Sequence, residues 1–81
     1  MKVKESMPIV DKMVDDATAE IRKQTGWEDF PREYVLSDLA DAEWILGISV
    51  DDEDPEIDMG AVEMVLAQIV RNNIEWFREE A

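Results

Sequence analysis

Apolar residues recur at steps of three and four along three segments of the chain, the spacing of one face of an α-helix. In the first segment, Ser6 is a favourable N-cap, Pro8 fits the first helical positions, and Gly26 is a natural stop. The apolar positions between them are Ile9, Val10, Met13, Val14, Ala17 and Ile21. The pattern predicts a first helix over residues 7–25.

A second amphipathic segment follows, with Asp29 as a candidate N-cap and Pro31 in the first turn. Its apolar positions are Val35, Leu39, Ala42 and Leu46, flanked by Tyr34, Leu36 and Ile45. Because Gly47 is a natural C-terminal stop, the pattern predicts a helix over residues 31–46. Ser37 is an alternative N-cap, and a helix broken there would give four helices in place of three.

The third segment begins at Asp54-Pro55 and carries a long apolar stripe. The stripe consists of Met59, Val62, Leu66, Ile69, Asn73 and Trp76, and is widened by Val65, Val70 and Phe77. A helix over residues 55–78 would be about 35 Å long at 1.5 Å per residue, longer than the other two. Since no segment has the alternation of a strand, we predict one all-α domain over residues 1–81. Its fold is a small three-helix bundle with a long C-terminal helix.

Two features of this bundle allow more than one interpretation. The third helix is apolar on more than one face between Val62 and Val70, so it either lies centrally or pairs partly with a second copy of the chain. Trp27, Trp44 and Trp76 are first interpreted as core residues. Trp44 is out of step with its neighbours, however, and is also a candidate interface anchor.

Composition narrows the function classes. The chain of 81 residues has no cysteine and no histidine, which removes disulfides, thiolate metal sites and the usual general base. A domain of this size has no room for a large catalytic cavity, so we expect neither an enzyme nor a cofactor. There is no apolar run of signal-peptide or membrane-span length, which favours a cytoplasmic protein with no membrane contact.

The net charge of −13 is unevenly distributed. Residues 1–23 hold five acids and five bases, whereas residues 24–70 hold thirteen acids and a single base, Arg32. High-salt adaptation would spread acids over every segment, so this asymmetry favours a directed acidic surface. Direct contact with nucleic acid is disfavoured by the same charge.

The densest acidic run, residues 51–58, has six carboxylates in eight positions. A calcium loop over residues 52–63 is a remote alternative, because the position that needs glycine is Ile57 and Pro55 interrupts the loop. Helix capping by Asp54 explains one or two of the acids and leaves the others unexplained.

We therefore predict a binding protein whose acidic face occupies the basic surface of a nucleic-acid-binding protein. The predicted partner-binding residues are Glu28, Asp29, Asp38, Asp41, Glu43, Trp44, Asp51, Asp52, Glu53, Asp54, Glu56 and Asp58. In size, charge and helicity the chain resembles the small acidic inhibitors of phages and mobile elements. It also resembles the helical immunity proteins, although it lacks their paired tyrosines before a proline. The alternatives are a helical adaptor or homodimer without nucleic-acid mimicry, and an acidic face that serves only solubility.

Overall fold

The computed structural model describes residues 2–42 and 56–80, and within these ranges the chain forms three helices. These are α1 (Val3–Thr25), α2 (Arg32–Asp41) and α3 (Met59–Glu80). Neither described range contains a strand, apart from an isolated antiparallel bridge between Lys2 and Glu56. The predicted all-α class and three-helix bundle are confirmed.

Helices α1 and α3 lie side by side and run in the same direction. Lys2 and Glu56 bridge their N-terminal ends, and the ring of Trp27, just after α1, stacks on that of Phe77 near the end of α3. These two helices share the most extensive interface of the described bundle. They have 23 and 22 residues, so the expectation that the C-terminal helix is the longest is wrong.

Helix α1 begins earlier than its capping signal predicted. Lys2 occupies the N-cap position, and Ser6 is buried one turn inside the helix, where its hydroxyl donates to the carbonyl of Val3 at 2.7 Å. Pro8 consequently lies in the helix interior. Tertiary contacts explain the difference, because Val3 packs against the core and Lys2 bridges to the segment before α3. The predicted cap at Ser6 is therefore wrong.

The turn between α1 and α2 is fixed by several hydrogen bonds. Gly26 adopts a left-handed backbone with φ of 77°, and its N–H donates to the Arg22 carbonyl, as the sequence predicted. The Arg22 guanidinium in turn donates from Nε (3.0 Å) and one Nη (2.8 Å) to the carbonyl of Phe30. The Phe30 side chain is only 2% exposed, so the turn is held to the core at this point.

Helix α2 begins at Arg32, with Pro31 at the N-cap position and no side-chain cap, so the predicted cap at Asp29 is wrong. The helix continues through Ser37 without a break. It ends at Asp41, earlier than the predicted residue 46, with Ala42 at the C-cap. Residues 43–46 and the predicted stop at Gly47 lie outside the described residues.

Helix α3 begins at Met59, and its cap is Asp58, not Asp54 as predicted. The Asp58 carboxylate accepts from the backbone N–H of Gly60 (3.0 Å) and of Ala61 (3.3 Å). This arrangement satisfies two amides that a helix N-terminus otherwise leaves unpaired. Asp54 and Pro55 lie outside the described residues.

The core contains buried side chains from all three helices and from the segments before α2 and α3. Its members are Val14, Ala17, Ile21, Phe30, Val35, Leu39, Ile57, Val62, Leu66 and Ile69. Two predicted core positions are wrong, since Ile9 is 44% exposed and Trp76 is 54% exposed. At the C-terminal ends of α1 and α3, Trp27 and Phe77 instead pack against each other. No helix in the described ranges is long and apolar enough to cross a membrane.

Candidate protein-binding groove

Half of the predicted partner-binding residues are placed by the structure. Glu28 and Asp29 lie in the turn between α1 and α2, Asp38 and Asp41 lie on α2, and Glu56 and Asp58 precede α3; all six are exposed. The predicted residues outside the described ranges are Glu43, Trp44, Asp51, Asp52, Glu53 and Asp54. The second interpretation of Trp44 as an interface anchor therefore stays a prediction.

Glu56 and Asp58 serve the fold. The Glu56 carboxylate lies 3.1 Å from the Lys2 ammonium, and the Asp58 carboxylate is hydrogen-bonded to the first amides of α3. Glu56 is therefore paired with a base, and the Asp58 carboxylate is engaged by backbone N–H groups. The described residues therefore do not form a continuous row of free carboxylates from α2 into residues 56–58.

Asp38 and Asp41, unlike Glu56 and Asp58, have no side-chain role in the hydrogen bonds or ion pairs of the described fold. They are three residues apart on α2, which places them on one side of the helix with Cβ atoms roughly 5–6 Å apart. Both are exposed, and neither forms an ion pair with any residue in the described ranges. Their charge is available to a partner.

These two carboxylates border a groove between α2 and α3, which we call the α2/α3 groove. Its volume is about 500 Å³. The lining residues are Asp38, Asp41, Ala42, Met64, Val65, Gln68, Ile69 and Asn72. Apolar side chains of α3 form most of the α3 side, and Met64 is 72% exposed.

The α3 side of the groove also has two polar amides. The Gln68 side-chain N–H donates to the Asn72 side-chain oxygen at 2.8 Å, which holds the two amides together without adding charge. The groove is thus acidic along α2 and apolar with neutral amides along α3. Such a surface suits a segment with an apolar residue to fill the groove and a basic residue to pair with Asp38 or Asp41.

The base nearest in sequence to these acids is directed elsewhere. Arg32 donates from Nε to Asp15 at 2.6 Å, and its Nη2 lies 3.4 Å from the carboxylate of Asp11, both on α1. The hydrogen bond to Asp15, opposed by partial desolvation, raises the pKa of Arg32 above its ordinary value. Because Arg32 is engaged with α1, it does not neutralise Asp38 or Asp41.

Other acids around α2 are likewise unpaired. Glu28, Asp29 and Glu33 are exposed and form no ion pair within residues 2–42 and 56–80. At 1.5 Å per residue, Asp38 and Asp41 lie about 9 Å and 14 Å along the helix from its first residue, Arg32. The acidic surface therefore extends along α2, from the turn to the groove.

The described part of the proposed calcium loop is used in other ways. Glu56 pairs with Lys2, Asp58 caps α3, and Glu63 is an exposed residue of that helix. Among the residues whose positions are described, no cluster of three or more acids, histidines or cysteines could hold a metal ion.

Sequence reasoning missed the α3 side of this groove. Met64 lies off the stripe through Val62, Leu66 and Ile69, and that offset is the signal that could have marked it as an exposed apolar residue. Asn72 was not a candidate because an exposed asparagine on a helix carries no functional signal of its own.

Comparisons with protein-family models, with curated proteins and with solved structures found no match for this chain.

Proposed function

We propose that this chain is a non-enzymatic acidic binding protein that occupies the basic surface of a nucleic-acid-binding protein through α2 and the α2/α3 groove. The observation that supports the proposal most directly is the pair Asp38 and Asp41, which are exposed beside the groove and form no ion pair with a described residue. Carboxylates supply attraction at a distance, and the apolar groove supplies contact area at close range.

The spacing and amount of the negative charge support the proposal of nucleic-acid mimicry. Carboxylates three or four positions apart on a helix are roughly 5–6 Å apart, comparable to successive phosphates along a strand. Asp38 and Asp41 have this spacing, while Glu33 and the turn acids add negative charge at the start of α2. A basic groove that attracts polyanions would attract this face for the same reason, with the same sensitivity to salt.

The experiment is capture of proteins from a lysate by the immobilised chain at low and high salt, with duplex DNA or RNA as the eluent. The test variant is Asp38→Asn with Asp41→Asn. The matched control is Glu5→Gln with Glu75→Gln, which removes the same charge from exposed positions of α1 and α3 outside the groove.

Three outcomes separate the parts of the proposal. Retention at low salt by the wild type and the control, release by nucleic acid, and loss in the test variant would support it. Retention that depends on Asp38 and Asp41 but resists nucleic acid would contradict mimicry and keep the basic partner. Equal retention by the test and control variants would refute the role of the groove.

A homodimer is a second candidate, favoured by the exposure of Met64 on α3. Two copies, each with a net charge of −13, repel, so added salt should strengthen self-association and weaken binding of a basic partner. Sedimentation equilibrium at two salt concentrations, with Met64→Lys as the disrupting variant, distinguishes the two.

A further inference from the structure

A second concave surface lies at the opposite end of the bundle from the bridge between Lys2 and Glu56. It is lined by Trp27, Trp76, Phe77 and Glu80, and its volume is about 480 Å³. We call it the aromatic recess. It shares no lining residue with the α2/α3 groove.

Part of this recess has a structural explanation. The Trp27 and Phe77 rings stack with their centroids 6.3 Å apart, and Trp27 also makes a T-shaped contact with the buried Phe30 ring at a centroid distance of 5.3 Å. These contacts close the end of the core. They account for the positions of Trp27 and Phe77 and leave Trp76 unexplained.

Trp76 is 54% exposed and makes no ring contact with any aromatic residue in the described part of the chain. A half-exposed indole keeps a large apolar surface in water, which burial against a partner would remove. Its neighbour in the recess, Glu80, lies four positions later on the same side of α3 and forms no ion pair with a described residue.

An aromatic surface with one carboxylate is suited to a cation. The π face of an indole attracts a positive charge, and no lysine or arginine is among the described lining residues. Of the two cationic side chains, arginine fits better. Its planar guanidinium can stack on an aromatic ring while its fork of N–H groups donates to a carboxylate.

We propose that the aromatic recess binds an arginine side chain of a partner polypeptide, stacked on Trp76 and paired with Glu80. The occupant is chosen by charge complementarity, since the only charged lining residue described is an acid and the whole chain carries −13. The proposal does not depend on the α2/α3 groove or on nucleic-acid mimicry.

The test is a titration of the full chain with a short arginine-containing peptide, followed by NMR of the indole and backbone N–H signals. A lysine peptide of equal charge and a citrulline peptide of equal shape are the comparison ligands. We expect the Trp76 and Trp27 signals to shift, with affinity in the order arginine, lysine, citrulline.

Two variants make the outcome decisive. Trp76→Leu keeps an apolar side chain without a π face and should weaken arginine binding by about five- to tenfold. Glu80→Gln should weaken it more than Glu75→Gln, which makes the same charge change outside the recess.

Three results of the binding measurements would overturn the proposal. They are equal effects of Glu80→Gln and Glu75→Gln, unchanged binding by Trp76→Leu, and equal affinity for the arginine and lysine peptides. Signal changes confined to α2 would also overturn it, because they would show general attraction to the acidic surface. Circular dichroism of each variant establishes that the helices are intact.

Discussion

Arg32 at the start of α2 donates to Asp15 in the middle of α1 at 2.6 Å, which ties two helices together across seventeen positions of sequence. We expect Arg32→Gln to lower the urea midpoint of unfolding more than Lys12→Gln. The control makes the same charge change, but Lys12 pairs with Asp16 within one exposed turn of α1. Equal midpoints would show that the contact between the helices contributes nothing.

The same contact has a defined pH dependence. The pKa of Arg32 is raised in the folded state, so its contribution is fully present below the unfolded pKa and is lost only as the pH rises through the folded pKa. The difference between wild type and Arg32→Gln should therefore stay constant from neutral to mildly alkaline pH. A difference that shrinks in that window would mean another group is responsible.

Arg22 holds the turn between α1 and α2 through two hydrogen bonds to the Phe30 carbonyl. Arg22→Met should reduce the free energy of unfolding by about 1–3 kcal/mol, because it removes charged donors from a partly buried carbonyl. Lys23→Met is the control, with the same charge change at the next, exposed position. Urea denaturation of both variants measures the difference, and a similar loss in each would contradict this role of Arg22.

Asp58 acts at the N-terminus of α3 through its oxygen atoms. Asp58→Ala should cost about 1 kcal/mol in the free energy of unfolding, whereas Asp58→Asn should be close to wild type because asparagine caps helices equally well. Thermal and urea denaturation would test this. If Asp58→Asn were as unstable as Asp58→Ala, the carboxylate charge would be the main contribution, not the cap.

Leu66 and Met64 are two positions apart on α3 but differ in surroundings, at 5% and 72% exposure. Leu66→Ala should reduce the free energy of unfolding by about 2–5 kcal/mol, and Met64→Ala should change it by less than about 0.5 kcal/mol. Denaturant titration of both variants provides the comparison. Met64 is therefore the position at which a substitution can test self-association without unfolding the chain.

The helices themselves could be predicted from sequence because their apolar residues repeat with the helical period. Their starts were harder, since a cap is worth about 1 kcal/mol and packing of a neighbouring apolar residue can outweigh it. Val3 packing on the core moved the start of α1 to before Ser6. Gly26 was predicted correctly because its left-handed backbone is a strong and local requirement.

The end of the stripe on α3 shows a different limit. Residues 76 and 77 flank the stripe of Val62, Leu66 and Ile69, one on each side of its centre line. Periodicity alone therefore does not decide which of the two is buried. The choice is made by Trp27, which the turn places against Phe77. Such a contact between distant segments cannot be derived from the pattern of either segment.

For the candidate site, the sequence predicted the exposure of Asp38 and Asp41 but not the apolar surface beside them. It also counted Glu56 and Asp58 among the partner-binding acids. The structure separates these two from the others, because Glu56 and Asp58 have partners within the fold, whereas the acids of α2 form no ion pair within residues 2–42 and 56–80. Binding of a partner to the acids of α2 stays a prediction.

The parallel arrangement of α1 and α3 has a consequence for the kinetics of folding. The largest interface joins the two helices that are farthest apart in the chain, with all of residues 26–58 between them. The entropic cost of bringing two ends together grows with their separation in the chain, so this bundle should reach its native state more slowly than one whose successive helices meet in hairpins.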